Sequence, residues 1–191
     1  MTQPLLMPTH TAAVFCGSSH GDDPAFTRAA ERLGEEMVRR NVGLVYGGGD
    51  VGLMGVIADT VMRLGGSAIG VIPRLLVERE VAHRQLTDLL IVETMHERKH
   101  RMYAMADVVI ALPGGIGTFE ELFEALTWNQ LGIHRKPCGL LDVGGYYRPL
   151  VDLMEGARAH RFLGGSQETM LPLREDPAEM LDLLFSRVAA P

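Results

Sequence analysis

The chain is short of several things, and each shortage excludes a class of function. It has two cysteines, Cys16 and Cys138, far apart and without metal-ligand spacing. Each sits in or beside an apolar run, where a small buried thiol fits, so they read as structural thiols of a reducing compartment. Long apolar runs are missing too, and the stretch MTQPLLMPTHTAAVF has no basic start. That pattern suits neither a membrane span nor a signal peptide, and the expected location is cytoplasmic. Positive charge is scarce: the net charge is −6 and the basic residues are scattered among acids. A nucleic-acid partner, which needs a basic stripe, is therefore not expected. A small phosphorylated ligand stays compatible, because one local cluster can reverse the field inside a cleft.

What is present is an ordinary soluble composition, 47% apolar and 22% charged, which excludes disorder as the main state. The 191 residues show no linker, repeat or low-complexity segment, so one domain over 1–191 is expected. Apolar runs at 12–16, 43–46, 67–72, 89–92, 107–112 and 138–143 each end in a turn signal. Helices are predicted between and after them, at 24–41, 51–64, 96–105, 118–131, 147–160 and 176–188. The first has Asp22 and Asp23 as candidate N-caps, Pro24 in its first turn, and Asn41 and Gly43 as stops. Strand–helix alternation predicts an α/β, Rossmann-like doubly wound parallel sheet with helices on both faces.

In such a fold ligands bind at the carboxyl edge of the sheet, which selects the motifs that can share a site. The strand tips are CGSS at 16–19, GGGDVGLMG at 47–55, PRLLVERE at 73–80, ETMHERK at 93–99 and PGGIGTFEE at 113–121. The last is the strongest signal. Gly114, Gly115 and Gly117 allow a turn with inward N–H groups, Thr118 adds a hydroxyl, and the following helix presents its positive end. The competing reading is a T-x-x-E capping box formed by Thr118 and Glu121. No Walker A ending follows the glycines. Arg98 and Lys99 stand near the start of another helix, where two cations oppose the macrodipole unless an anion compensates. The bland alternative is a solvated basic pair.

Two further patterns are weaker. Residues 47–52 satisfy GxGxxG, but the next strand ends in Pro73-Arg74 and not in an acid, so a glycine-lined mononucleotide wall including Gly48 and Gly49 is preferred to NAD binding. His96 and His100 satisfy HExxH with Glu120 further on, which suggests a zinc hydrolase. An intervening strand places Glu120 on a separate helix, and Arg98 and Lys99 would repel a dication, so no metal site is expected.

Taken in order, these segments resemble the LONELY GUY (LOG) family of cytokinin-activating nucleoside-monophosphate phosphoribohydrolases, long labelled lysine decarboxylases. The resemblance runs over 12–162 and includes PGGxGTxxE at 113–121, Arg98-Lys99, GVIP at 70–73, Glu80, TWNQLGIH at 127–134 and KPCGLLD at 136–142. It implies a Rossmann-like fold, a homodimer, and cleavage of a nucleoside 5′-monophosphate, such as AMP or a cytokinin riboside 5′-monophosphate, into base and ribose 5-phosphate without a cofactor. Arg98 and Glu121 then look like the catalytic pair. Glu80, Lys99, Gly115, Gly117, Thr118, Glu120 and Thr127 look like substrate contacts, with Ser18, Gly114 and Ile116 as neighbouring candidates on the same tips. The decarboxylase label would require pyridoxal phosphate on a lysine, and neither Lys99 nor Lys136 lies in a recognisable cofactor context. The main rival is a protein of the same fold that only carries a nucleotide-like ligand such as molybdenum cofactor.

Overall fold

The computed structural model describes residues 8–77 and 81–188. It forms a seven-stranded sheet in the order β4-β3-β2-β1-β5-β6-β7, in which every strand pairs parallel with its neighbours. The chain runs β1 (His10–Phe15), α1 (Pro24–Arg39), β2 (Val42–Tyr46), α2 (Gly52–Arg63), β3 (Ala68–Pro73), a 3-10 turn (Arg74–Leu76) and β4 (Asp88–Val92). It then crosses back through α3 (Met95–Met105) to β5 (Val108–Ala111), α4 (Ile116–Gln130), β6 (Cys138–Leu141), α5 (Arg148–Ala159), α6 (Gln167–Met170), β7 (Leu173–Arg174) and α7 (Pro177–Ser186). The strand order reverses between β1 and β5, so the crevice between their carboxyl ends is the switch point of the fold.

Covering helices explain why the strands read as unbroken apolar runs. Ala12 and Val14 of β1 pack with Leu33 and Met37 of α1 and Ile57 of α2 on one face. Ala13 and Phe15 face the other way, toward Met102 and Tyr103 of α3 and Leu122 and Ala125 of α4. Alternate side chains of one strand are thus buried in two different layers. Local chemistry sets the helix ends. Asp23 caps α1 by accepting from the Ala25 N–H at 2.7 Å, and Asn41 leaves it with φ 53°. Asp176 caps α7 in the same way through the Ala178 and Glu179 N–H groups.

The six expected strands and six expected helices are present, with ends shifted by a few residues. Three short elements add to them: the turn at Arg74–Leu76, α6 and β7. A two-residue strand such as Leu173–Arg174 has no periodicity to read. It exists because its backbone pairs with β6, where the Leu140 N–H donates to Pro172 O and the Asp142 N–H to Arg174 O.

Of the glycines in the 47–52 motif, Gly52 is fixed by packing. Its φ is +58°, and an added Cβ would lie 2.3 Å from backbone atoms of Ser18 and Ser19. Gly52→Ala is therefore expected to destabilise the protein by roughly 3 kcal/mol, from backbone strain plus steric overlap. Urea denaturation of the purified variant measures this as a lowered midpoint.

Candidate functional site

The floor of the crevice is built by joining the tips of β1 and β5. The Gly17 N–H donates to Pro113 O at 3.0 Å, and Gly114 packs so closely against Gly17 and Thr118 that a Cβ there would meet Thr118 Oγ1 at 2.1 Å. Tyrosines brace this turn and the helix after it: Tyr146 Oη donates to Gly114 O, Tyr147 Oη to Leu112 O at 2.6 Å, and Tyr103 Oη to Glu121 O at 2.6 Å. In front lies a cavity of about 220 Å³, whose lining includes Ser18, Ser19, His20, Phe26, Gly115 and Tyr146. Ser18 is exposed at this mouth.

α4 starts at Ile116, with Gly115 in the cap position and no side chain capping it. The competing capping-box arrangement is thus not formed. Thr118 is already in the third helical position, buried at 4% exposure beneath Gly114, and the Glu121 side chain is largely buried beside Arg98. The first-turn N–H groups of α4, with the positive end of its dipole, face the crevice without a protein carboxylate as cap. Gly115 and Gly117 have open space where a Cβ would be, and neither has a positive φ. No packing or backbone demand calls for glycine at these two places, and their bareness leaves the helix end approachable. Ile116, between them, is 82% exposed.

α3 carries the cations. Thr94 caps it by accepting from the Glu97 N–H, and Glu97 reaches back to the Glu93 N–H. This start at Met95 puts Arg98 and Lys99 in the second turn, and both are buried at 4% exposure. They are not a solvated basic pair. Arg98 donates through Nε to Val71 O, within β3, at 3.0 Å and through Nη2 to Gly47 O, just past β2, at 2.9 Å. Its Nη1 lies 4.0 Å from Glu121 Oε1, whose side chain is 12% exposed. Lys99 projects toward α4 instead, pairing with Glu120 and, at 3.0 Å, with Glu124. Burial disfavours its ammonium, but the bonds to Glu120 and Glu124 outweigh this and hold its pKa above the ordinary lysine value. The anions that compensate these cations are thus the chain's own carboxylates. Glu124 was not among the expected residues, although it lies one helical turn from Glu120 on the same face.

Other expected residues fall outside this cluster. Gly48 and Gly49 are buried: Gly48 O accepts from the His83 N–H, and Gly49 bridges Ala82. Thr127 is exposed and donates to Phe123 O within its own helix, about 13 Å along α4 from Thr118 at the helical rise. Glu80 lies outside the described residues. The HExxH pattern does not assemble: His96 and His100 are exposed, and Glu120 is engaged by Lys99. Cys16 is buried behind Glu121, and both burial and that carboxylate push its thiol pKa far up, which makes it inert as a nucleophile.

A doubly wound parallel sheet with an uncapped glycine turn and a buried arginine–carboxylate pair near the carboxyl ends of its strands defines a Rossmann-like α/β protein. Residues 54–184 match the family described as "Possible lysine decarboxylase". The chain is 47% identical over 171 residues to the probable cytokinin riboside 5'-monophosphate phosphoribohydrolase LOGL2 of Oryza sativa subsp. japonica, covering 90% of this chain and 70% of that one. It is 44% identical over 171 residues to the cytokinin riboside 5'-monophosphate phosphoribohydrolase LOG2 of Arabidopsis thaliana, covering 90% and 80%. The chain belongs to this family, the one its motifs resemble. A solved structure of the molybdenum cofactor binding protein from Rippkaea orientalis shares the fold, with a TM-score of 0.70 over 96% of this chain and 100% of that one, at 21% identity.

The decarboxylase in the family's description does not fit the lysines present. Lys99 is clamped by two carboxylates, and Lys136 Nζ donates to Ala106 O. Neither amine is placed to form a Schiff base with pyridoxal phosphate.

The open space at Gly117 allows a separation of ligand contact from folding. Gly117→Ala is expected to leave the melting temperature unchanged or raised, since alanine favours the helix by up to about 1 kcal/mol. The same variant is expected to bind AMP at least about tenfold more weakly, because its methyl group stands where the anion would approach. Calorimetric titration beside a thermal melt checks both halves.

Proposed function

We propose that the protein hydrolyses the N-glycosidic bond of a nucleoside 5′-monophosphate, AMP or a cytokinin riboside 5′-monophosphate, releasing the base and ribose 5-phosphate. The observation that carries this reading is the placement of Glu121. It is a carboxylate held beside a buried arginine, one turn along the helix whose uncapped end faces the crevice. The names borne by relatives at 44–47% identity support the same chemistry.

In this reading the 5′-phosphate sits on the turn formed by Gly114, Gly115, Ile116, Gly117 and Thr118, neutralised by the dipole of α4. The ribose then reaches Glu121. Bond cleavage builds positive charge on the sugar, which the carboxylate stabilises while orienting the attacking water. Arg98, locked by two carbonyls, holds Glu121 in place. Lys99 serves the site indirectly, by fixing Glu120 and Glu124 along the same helix face. Ser18 borders the mouth of the crevice. None of these steps requires a metal or an organic cofactor.

Two further expectations belong to this reading. No helix of the described residues is long and apolar enough to cross a membrane, and two buried, high-pKa thiols suit a cytoplasmic, reducing setting. Homodimerisation is supported by exposed apolar side chains along and just beyond α4, with Phe123 42%, Leu131 68% and Ile133 61% exposed. Trp128 is turned inward from that face, packed at a tilt against Tyr103 with centroids 5.0 Å apart.

Glu121→Gln is the cleanest test. Arg98→Ala would strip the carbonyls of Gly47 and Val71 of their donor and confound folding with catalysis. The glutamine variant keeps size and packing, and it is expected to release adenine from AMP, or free base from isopentenyladenosine monophosphate, at least about 100-fold more slowly than the unmodified protein. Near-normal release by Glu121→Gln would remove the catalytic role. Failure of the unmodified protein to release base from either nucleotide would favour a ligand carrier.

A further inference from the structure

His83 is a buried ionisable side chain that the proposed chemistry does not use, at 3% exposure. Its Nδ1 accepts the Gln85 N–H at 3.1 Å, which leaves the proton on Nε2. Nε2 then donates to Asp59 Oδ1 of α2 at 3.1 Å, with Asp50 Oδ1 at 3.7 Å. Ligand-type atoms of Asp50, Asp59 and His83 lie within 4.8 Å of one another, as in a cation site. The hydrogen bonding argues otherwise, because a metal-bound histidine donates from its second nitrogen, whereas here that nitrogen accepts. The cluster is a tie between α2 and the segment that carries His83.

That segment, residues 81–83, lies across the glycine loop after β2. Asp50 N–H donates to Val81 O at 2.9 Å, Ala82 bridges Gly49, and His83 N–H donates to Gly48 O at 3.0 Å. Val81 has φ 45°, a conformation that a β-branched residue adopts only when its surroundings hold it there. The adjoining residue of the loop, Gly47, seats Arg98: its carbonyl accepts from Nη2 at 2.9 Å, and an added Cβ would come within 2.2 Å of that nitrogen. A displacement of residues 47–50 is therefore transmitted to the guanidinium, and from it to Glu121 at 4.0 Å.

We propose that His83 is a positioning residue. Its tie to Asp59 and Asp50 pins segment 81–83, which holds the glycine loop in the register that aims Arg98 at Glu121. The inference rests on the reading of Arg98 and Glu121 as the reacting site.

Two substitutions separate positioning from mere packing. His83→Asn places an amide at the Nδ1 position but falls short of Asp59, whereas the amide of His83→Gln reaches the Nε2 position and keeps the tie. With AMP as substrate, His83→Asn is expected to lower kcat about tenfold with KM changed less than about twofold, and His83→Gln to hold kcat within about twofold of the unmodified protein. An asparagine variant with normal kcat per folded molecule, whatever its melting temperature, overturns the proposal. So does a glutamine variant as impaired as the asparagine one. If the unmodified protein turns over no nucleotide, the functional reading fails and amide hydrogen exchange decides the tie separately. Protection-corrected exchange at the backbone amides of positions 50 and 83 at least about tenfold faster in His83→Asn but not in His83→Gln supports it, and unchanged exchange in His83→Asn overturns it.

Discussion

The arrangement at the carboxyl edge depends on one buried guanidinium. Arg98 bonds the Gly47 carbonyl just past β2 and the Val71 carbonyl within β3, and turns its remaining nitrogen toward Glu121 of α4. A buried cation is costly unless its donors are satisfied, so these backbone segments and the carboxylate have to stay where they are. This single group couples the two halves of the doubly wound sheet, since β2 and β3 lie on one side of β1 and α4 follows β5 on the other. Its neighbour Lys99 does the same for two helices, holding α3 against α4 through Glu120 and Glu124.

The glycines divide into two physical kinds. Gly47, Gly52 and Gly114 are bare because another part of the chain occupies the space of a side chain, respectively Arg98, the Ser18–Ser19 backbone and Thr118. Gly115 and Gly117 are bare beside open space. Only the second kind marks a surface that a ligand can approach. A sequence pattern cannot make this distinction, which separates the packed glycines Gly47 and Gly52 from the open positions Gly115 and Gly117.

Relatives near 45% identity and structural neighbours near 20% speak to different levels of the molecule. The latter share the fold alone, and a fold of this kind hosts both carriers and enzymes. Function resides in the few side chains at the crevice, which is why membership of the family carries more weight than the wider resemblance of shape.

The sequence by itself determined the class of fold, because continuous apolar runs separated by capped amphipathic stretches have few solutions other than a parallel sheet covered on both faces. It also singled out the turn at 113–121 and the Arg98-Lys99 pair, whose residue types oppose local stability unless something is bound or paired nearby. Tertiary structure decided what those residues do. Burial turned the basic pair from a ligand-facing patch into two internal clamps, and the start of α4 at Ile116 removed Glu121 from capping and set it against Arg98. Thr127 and Gly48 lie apart from the Arg98–Glu121 pair, Glu124 joins Lys99, tyrosines bond the turn and the helix after it, and His83 acquired partners more than twenty residues away. These outcomes depend on distances across the sheet between residues remote in sequence, and local periodicity carries no information about such distances.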